Sequence, residues 1–332
     1  MNNGEQYQAF LSYFDLMTMN GSAHIYRCAR ELGVIDAFGL TNATARDIAD
    51  RCELQEGPVQ LLLEALCSIG ILSRAGDSYA LALVAQFLSG NYQNLGDEYW
   101  QYLPQFLSTG IPLAKMDSVE QSEEQYEAQV SALAWMMTPA AEAMAQILGM
   151  GQTRKSLNIL DVGAGSGIWS LTCAKHDTET TVTASDWPAI VRIAESFAQK
   201  MALQNRFTAL PGNYHESDFG ENEYDLAIVA NVTHIETTDG NRRLFQKLHA
   251  ALKPGGEIAI VDVLSDQPAG YASSALYALG LGLRTESGQV HSAESLQQCL
   301  ADVGFSGSTM HPIEVAPYTM GAILAEKGVE AC

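Results

Sequence analysis

The sequence predicts an α/β protein, with a mostly parallel sheet covered by helices in its C-terminal half and a mainly α domain in front of it. Three observations predict this. From residue 157 short apolar runs alternate with helical stretches, as strands joined by helical crossovers do. A glycine-rich loop, Gly163-Ala-Gly-Ser-Gly167, joins the first of those runs to a helical stretch. Before residue 150 the periodicity is helical, apart from one short hairpin pattern.

At 332 residues the chain is too long for one ordinary core and suits two domains. We divide it into residues 1–95, a compact N-terminal domain; 96–150, linking helices; and 151–332, the sheet domain. The apolar fraction is 47% and the charged fraction 17%, which fits a folded chain. The formal net charge of −21 repels phosphate backbones and anionic lipid heads, so neither nucleic acid nor a membrane is expected as a partner. No apolar run reaches the roughly 18 residues that span a bilayer. Neither a basic stretch nor an apolar core follows Met1, so no signal peptide is expected. Six scattered cysteines, with no C-x-x-C pair, read as reduced thiols in a cytoplasmic protein. No spaced His/Asp cluster marks a metal site.

In the N-terminal domain, Ile25, Ala29, Leu32 and Ile35 recur at helical spacing, predicting a helix from Ala23 to Phe38. Thr44 and Asp47 have the spacing of a capping box for a short helix, Ala45–Cys52. Gly57-Pro58 opens a third helix. Gly76-Asp77 then separates two strand-like runs between residues 71 and 81. Helix, helix, helix and hairpin make a winged helix. Residues 1–100 carry twelve Asp/Glu against five Arg and no Lys, the wrong sign for reading DNA. In the linking segment, Trp100, Trp135, Met136 and Met137 are candidates for an apolar, aromatic-friendly substrate pocket, beside the plainer reading of helix packing.

The strand-like runs of the sheet domain are 157–162, 181–185, 207–211, 225–230 and 257–264, with helices over 168–175, 188–204, 240–252 and 293–303 between and after them. The last two runs, 305–311 and 316–326, are close enough to pair as an antiparallel hairpin.

The chemistry gathers at the strand ends. The spacing of Gly163, Gly165 and Gly167 is G-x-G-x-G, and Ile168 stands where a dinucleotide fingerprint has glycine. The loop also lacks the G-K-[ST] ending of a nucleotide P-loop. Glycines bring the backbone close to a ligand, and the following helix offers free N–H groups to a carboxylate. Asp161, at the strand end, suits an ammonium group such as that of S-adenosyl-L-methionine. Asp186 stands 19 residues after Gly167, where an acid accepts both ribose hydroxyls. Trp187, held extended by Pro188, is a candidate to pack on adenine. Gly212-Asn213-Tyr214 follows the third strand; Asn213 suits the adenine edge and Tyr214 its face.

After the fourth strand come Asn231 and His234. Asn231 is a candidate cofactor contact; ligands bind beyond the carboxyl ends of such strands, so His234 points at the reaction zone. A phenol with a pKa of about 10 is barely ionised at neutral pH, and a histidine near 6.5 is a suitable general base for it. Asp262, in the fifth strand, is the candidate to orient that imidazole; a buried, paired structural acid is the alternative.

Together these motifs resemble the S-adenosylmethionine-dependent O-methyltransferases of the plant caffeate and acetylserotonin type and their bacterial relatives in natural-product tailoring. The resemblance covers nearly the whole chain. Leu160-Asp-Val-Gly-Ala-Gly-Ser-Gly167, Asp186-Trp-Pro188, Gly212-Asn-Tyr214 and Lys253-Pro-Gly-Gly256 follow the family's order. It implies a Rossmann-like class I methyltransferase domain, S-adenosyl-L-methionine as cofactor with S-adenosyl-L-homocysteine as product, a small-molecule acceptor, and a homodimer through the winged-helix domain. Val232-Thr-His234 matches the family's catalytic histidine, but Ile235-Glu236 replaces Asp-Trp. Asn213 replaces an acid. The first of two glutamates that flank the histidine in plant enzymes is Asp262 here. No acid matches the second, around Val290, and Glu286 is nearby but out of register. These departures leave the acceptor open. The leading expectation is methyl transfer to a phenolic hydroxyl with His234 as base. The alternatives are a C- or N-methyltransferase, S-adenosylmethionine-assisted tailoring without transfer, or a winged-helix regulator that senses the cofactor.

Overall fold

The computed structural model describes residues 3–39, 41–86, 88, 93–118, 122–266, 271–315 and 318–329. It divides into two compact units, Met1–Asp97 and Glu98–Cys332.

The first unit opens with α1 (Asn3–Glu31). The helix predicted to reach Phe38 stops at Glu31 because Gly33 turns left-handed at φ +70°, and a 3-10 turn, Asp36–Phe38, follows. Then come β1 (Ala43–Thr44), α2 (Ala45–Cys52) and α3 (Glu56–Ser68). The capping box at Thr44 forms in both directions: the Thr44 hydroxyl accepts from Asp47 N, and Thr44 N donates to the Asp47 carboxylate. The hairpin β2 (Leu72–Ala75) and β3 (Ser78–Leu81) pairs antiparallel, and β1 adds to β3. Phe38, Ile48, Leu63 and Leu66 form a core that α2, α3 and the hairpin close.

The second unit holds a seven-stranded sheet flanked by helices. In chain order it runs α4 (Asp97–Thr109, beginning at the boundary), α5 (Ser122–Ile147), β4 (Asn158–Val162), α6 (Ile168–Lys175), β5 (Thr181–Asp186), α7 (Pro188–Lys200), β6 (Phe207–Pro211), β7 (Tyr224–Ala230), α8 (Thr238–Ala251), β8 (Leu252–Asp262), α9 (Tyr271–Gly282), α10 (Ala293–Asp302), β9 (Phe305–Val315) and β10 (Tyr318–Lys327). Across the sheet the order is β6-β5-β4-β7-β8-β10-β9. Strands β4 to β8 pair parallel, and β10 enters antiparallel between β8 and β9. Of the last predicted run, residues 316 and 317 lie outside the described residues.

The central parallel strand β7 carries an unbroken apolar run over residues 226–230, as a strand covered by helices on both faces does. Leu226, Ala227, Ile228 and Val229 of β7 are all fully buried. Ile228 belongs to one core layer and Val229 to the other, so consecutive residues of a single strand anchor both sides. From β4 the chain winds outward to β5 and β6 on one side, then returns to place β7 on the other side of β4. Their carboxyl ends therefore flank a crevice at the switch point of the sheet. No described helix is long and apolar enough to cross a membrane.

Candidate active site

The loop after β4 is built by backbone geometry. Gly163, Gly165 and Gly167 have φ values of +64°, +56° and +71°, a region L side chains adopt at a cost. Gly163 has a second constraint: a Cβ there would lie 2.5 Å from Val232 Cγ2. The glycine loop and the β7–α8 connection thus touch with no room for a methyl group. Gly163 N and Ala164 N both donate to Ser185 O, tying the loop to the end of β5.

Asp186 completes that tie. Its Oδ2 accepts from Gly165 N at 2.7 Å and its Oδ1 from Trp187 N at 2.7 Å. Burial pushes the carboxyl up to about 6, against these hydrogen bonds, which favour the anion. Pro188 begins α7, and Glu123 of α5 accepts from Ala189 N at 2.7 Å, so α5 is pinned to the first turn of α7.

Beyond these strand ends lies a cleft of about 420 Å³. Gly163, Gly165, Asp186, Trp187, Asn213, Tyr214 and Asn231 all line it, so the structure gathers seven sequence-predicted residues from four separate strand ends onto one wall. Asn231 holds φ +57°, a strained position that asparagine tolerates, and its N–H donates to Val261 O. The Tyr214 hydroxyl donates to Glu236 Oε1 at 2.6 Å; burial and that carboxylate raise its pKa and keep the phenol protonated.

Other predicted residues stand elsewhere. Asp161 is buried away from the cleft wall, where it accepts the Ser170 hydroxyl of α6; burial pushes its carboxyl up to about 7. Gly167 and Gly212 are not among the residues that line the cleft; a Cβ would meet Leu171 and Ala194 at Gly167 and Ser217 at Gly212. Of the four candidates from the linking segment, Met137 alone lines the cleft. Met136 is half-buried, Trp135 is 54% exposed and Trp100 is 39% exposed. Helical spacing explains the split, because neighbours on α5 point about 100° apart.

His234 lies in a 3-10 turn, Thr233–Ile235, just after β7. Its Nδ1 is 2.8 Å from Asp262 Oδ1. Asp262 Oδ2 accepts from the Thr233 hydroxyl at 2.6 Å and from His234 N at 3.1 Å, and Oδ1 also accepts from Val263 N at 2.8 Å. Burial by itself raises the carboxyl, but the His234 imidazole and these hydrogen bonds outweigh it and hold Asp262 below the usual carboxylate range. An ionised Asp262 fixes the proton on Nδ1 and leaves the Nε2 lone pair basic. Glu286 does not take the place of the missing family glutamate: its carboxylate pairs with Lys115 at 2.7 Å on the surface.

Several wall residues carried no sequence signal. Tyr126, Val130 and Leu133 come from α5, and Asp117 accepts from Glu286 N, Ser287 N and the Ser287 hydroxyl to close the rim. Glu236 was legible only as a departure from the family pattern; it accepts from Tyr214 and contacts His215 Nε2 at 2.7 Å. Among the described residues, no group of three or more His, Cys, Asp or Glu is placed to hold a metal ion.

The comparisons with known proteins bear on the family and the fold. A family model described as a methyltransferase domain matches residues 133–308. L-tyrosine C(3)-methyltransferase of Streptomyces lavendulae is 26% identical over 193 residues, 57% of this chain and 51% of that protein. Demethylspheroidene O-methyltransferase of Rhodobacter capsulatus is 25% identical over 175 residues, 53% of this chain and 42% of that protein. The chain thus spans about half or less of the length of these curated relatives. Among solved structures, human N-acetylserotonin methyltransferase in complex with SAM superposes with a TM-score of 0.72 at 20% identity, covering 99% of this chain and 100% of that one. That likeness shows the fold.

Proposed function

The chain belongs to the methyltransferase-domain family, with S-adenosyl-L-methionine as its cofactor, and from that premise we propose that it transfers a methyl group to a phenolic hydroxyl of a small-molecule acceptor. The residues present fit the cofactor. Gly163 leaves backbone exposed where any side chain would collide with Val232, and Asp186 offers a buried carboxylate on the cleft wall to ribose hydroxyls. Asn213 and Tyr214 line the same cleft and suit the adenine edge and face. When bound, the cofactor supplies an electrophilic methyl group on sulfur.

The single observation that carries the acceptor chemistry is the 2.8 Å contact between His234 Nδ1 and Asp262 Oδ1. It orients an imidazole so that Nε2 can take the hydroxyl proton as the acceptor oxygen attacks. Phenols suit a base of this kind because, with a pKa of about 10, they are mostly protonated at neutral pH and must lose the proton to attack. One further reading is favoured by the sequence match to a tyrosine C-methyltransferase. A base that deprotonates a phenol also makes the ortho carbon nucleophilic, so C-methylation of a phenol uses the same two residues.

The partner we propose is a second copy of this chain. Helix α1 exposes Tyr7, Phe10, Tyr13, Phe14, Leu16 and Met19, each at least 46% accessible. An exposed apolar run of that size on one helix supports the reading of an interface.

The first test is titration calorimetry with S-adenosylhomocysteine and, beside it, NADH, on wild type and Asp186→Ala. We expect binding of the first ligand alone, weakened about tenfold or more by loss of a charged acceptor. The second is turnover of a phenol panel by His234→Ala, expected to fall about 10²–10⁴-fold with unchanged affinity for S-adenosylhomocysteine. Unchanged turnover removes His234 from the mechanism, and mass spectrometry of the product separates O- from C-methylation.

A further inference from the structure

His234 does not face the cleft itself. Val232, Ile235 and Glu236 on either side of it line the wall, while the His234 side chain is only 9% exposed. The lone pair that Asp262 leaves on Nε2 is also occupied. Tyr277 of α9 places its hydroxyl 3.2 Å from Nε2, with the two rings edge to face at 5.5 Å. With the proton held on Nδ1, Nε2 can only accept, so the Tyr277 hydroxyl donates to it.

Carboxylate, imidazole and phenol thus form one chain whose accessibility rises outward. Asp262 is 1% exposed, His234 9%, and Tyr277 half-buried. A proton can enter such a chain only at its accessible end. Tyr277, like His234, is not among the residues that line the cleft; it packs against the same core layer as Met137, which does line it.

We propose that Tyr277 is the group that meets the acceptor, and that it relays the acceptor's proton to His234. The inference rests on the reading of His234 as base. As the acceptor oxygen forms its bond to the methyl group, its O–H bond breaks and that proton passes to Tyr277 Oη. The tyrosine's own proton moves to His234 Nε2. The electron pair of the broken methyl–sulfur bond stays on sulfur. Tyr277 ends neutral, and the positive charge ends on the imidazole, beside the Asp262 carboxylate that compensates it. The phenol also excludes water from Nε2, so the base is not spent on solvent.

The experiment compares Tyr277→Phe and His234→Ala in the full chain with two readouts. The first needs no acceptor. In protein labelled with 15N-histidine, the Nε2 resonance assigned by its loss in His234→Ala is expected to move downfield in Tyr277→Phe, as the lone pair loses its donor. An unmoved resonance overturns the chain. The second is release of S-adenosylhomocysteine with catechol and caffeate as acceptors. Tyr277→Phe is expected to lower kcat about 10–100-fold, with the affinity for S-adenosylhomocysteine unchanged and the acid limb of the pH profile displaced. If His234→Ala collapses turnover and Tyr277→Phe matches wild type, the relay is wrong and the base survives, meeting the acceptor directly. If His234→Ala is itself as active as wild type, the base reading fails first.

Discussion

Gly165 N donates to Asp186 Oδ2 at 2.7 Å, which joins the loop after the first parallel strand to the acid at the end of the second. Two motifs that are separate in the sequence are therefore one object. The carboxylate proposed to hold ribose also holds the shape of the loop proposed to face the cofactor. A substitution at Asp186 acts on both, so loss of binding there comes with a looser glycine loop. Substitutions elsewhere separate the roles.

At Asp262, Asn keeps the size and removes the charge. Asp262 accepts four hydrogen bonds, from Thr233 Oγ1, His234 N, His234 Nδ1 and Val263 N. An amide has one acceptor and turns a donor toward the rest, so the imidazole loses its fixed tautomer. We expect Asp262→Asn to lower kcat by about 10²–10⁴-fold. Unpaired buried donors should also cost about 1–3 kcal/mol of stability. Steady-state kinetics and thermal melts of the same preparation check both, and full activity refutes the orienting role.

Gly163→Ala should be destabilising whatever the ligand. Its φ of +64° costs an L residue about 1–2 kcal/mol, and the new methyl would collide with Val232. Gly163 and Val232 both line the cleft, so binding of S-adenosylhomocysteine should fall more steeply than the melting temperature. A variant with wild-type stability and affinity would show that the two loops part easily.

The pH dependence of stability should carry the mark of Asp161. Burial raises its carboxyl from 3.8 to about 7. A raised carboxylate pKa means that folding takes up a proton between those values. The contribution of this site is therefore full below about 3.8, declines as pH rises toward 7, and is lost above it. Asp262 is shifted the other way: its contribution is present above 3.8 and lost as pH falls below it, so it is constant in the window that reports Asp161. Asp161→Asn still accepts from Ser170 and cannot ionise. Its melting temperature relative to wild type should climb between about pH 5 and pH 8. A difference that stays flat across that range refutes the shift.

Charged residues on α1 test the second copy. Phe14→Glu together with Leu16→Glu changes only exposed positions of a single helix. Sedimentation is expected to show wild type as a dimer and the variant as a folded monomer. A monomeric wild type would leave the apolar helix without the partner proposed for it.

Much of the sheet domain was legible because its signals are local. Alternation of apolar runs with helical periods, the G-x-G-x-G loop and the acid after the second strand each need only neighbouring residues to be recognised. The short helix α2 was readable to its ends because Thr44 and Asp47 form its cap within one turn. The end of α1 was not, since the apolar period runs on through Ile35 and one glycine at φ +70° ends it. Trp135 and Met137 have the same composition signal; only their places around α5 send one to solvent and the other to the cleft.

The sequence by itself determined the fold class, the strand order's local grammar and the glycine-rich loop, and it offered Asp262 as one candidate partner for His234. The tertiary structure alone decided what those groups meet. Tyr277 lies 43 residues from His234 and Asp262 lies 28 residues from it, yet all three form one hydrogen-bonded chain. Asp161, read at the strand end as a cofactor ligand, turns inward to Ser170 instead. The reason is physical. Periodicity and turn chemistry are written in the order of residues, whereas the direction of a side chain is set by the sheet's pleat and by the elements packed against it.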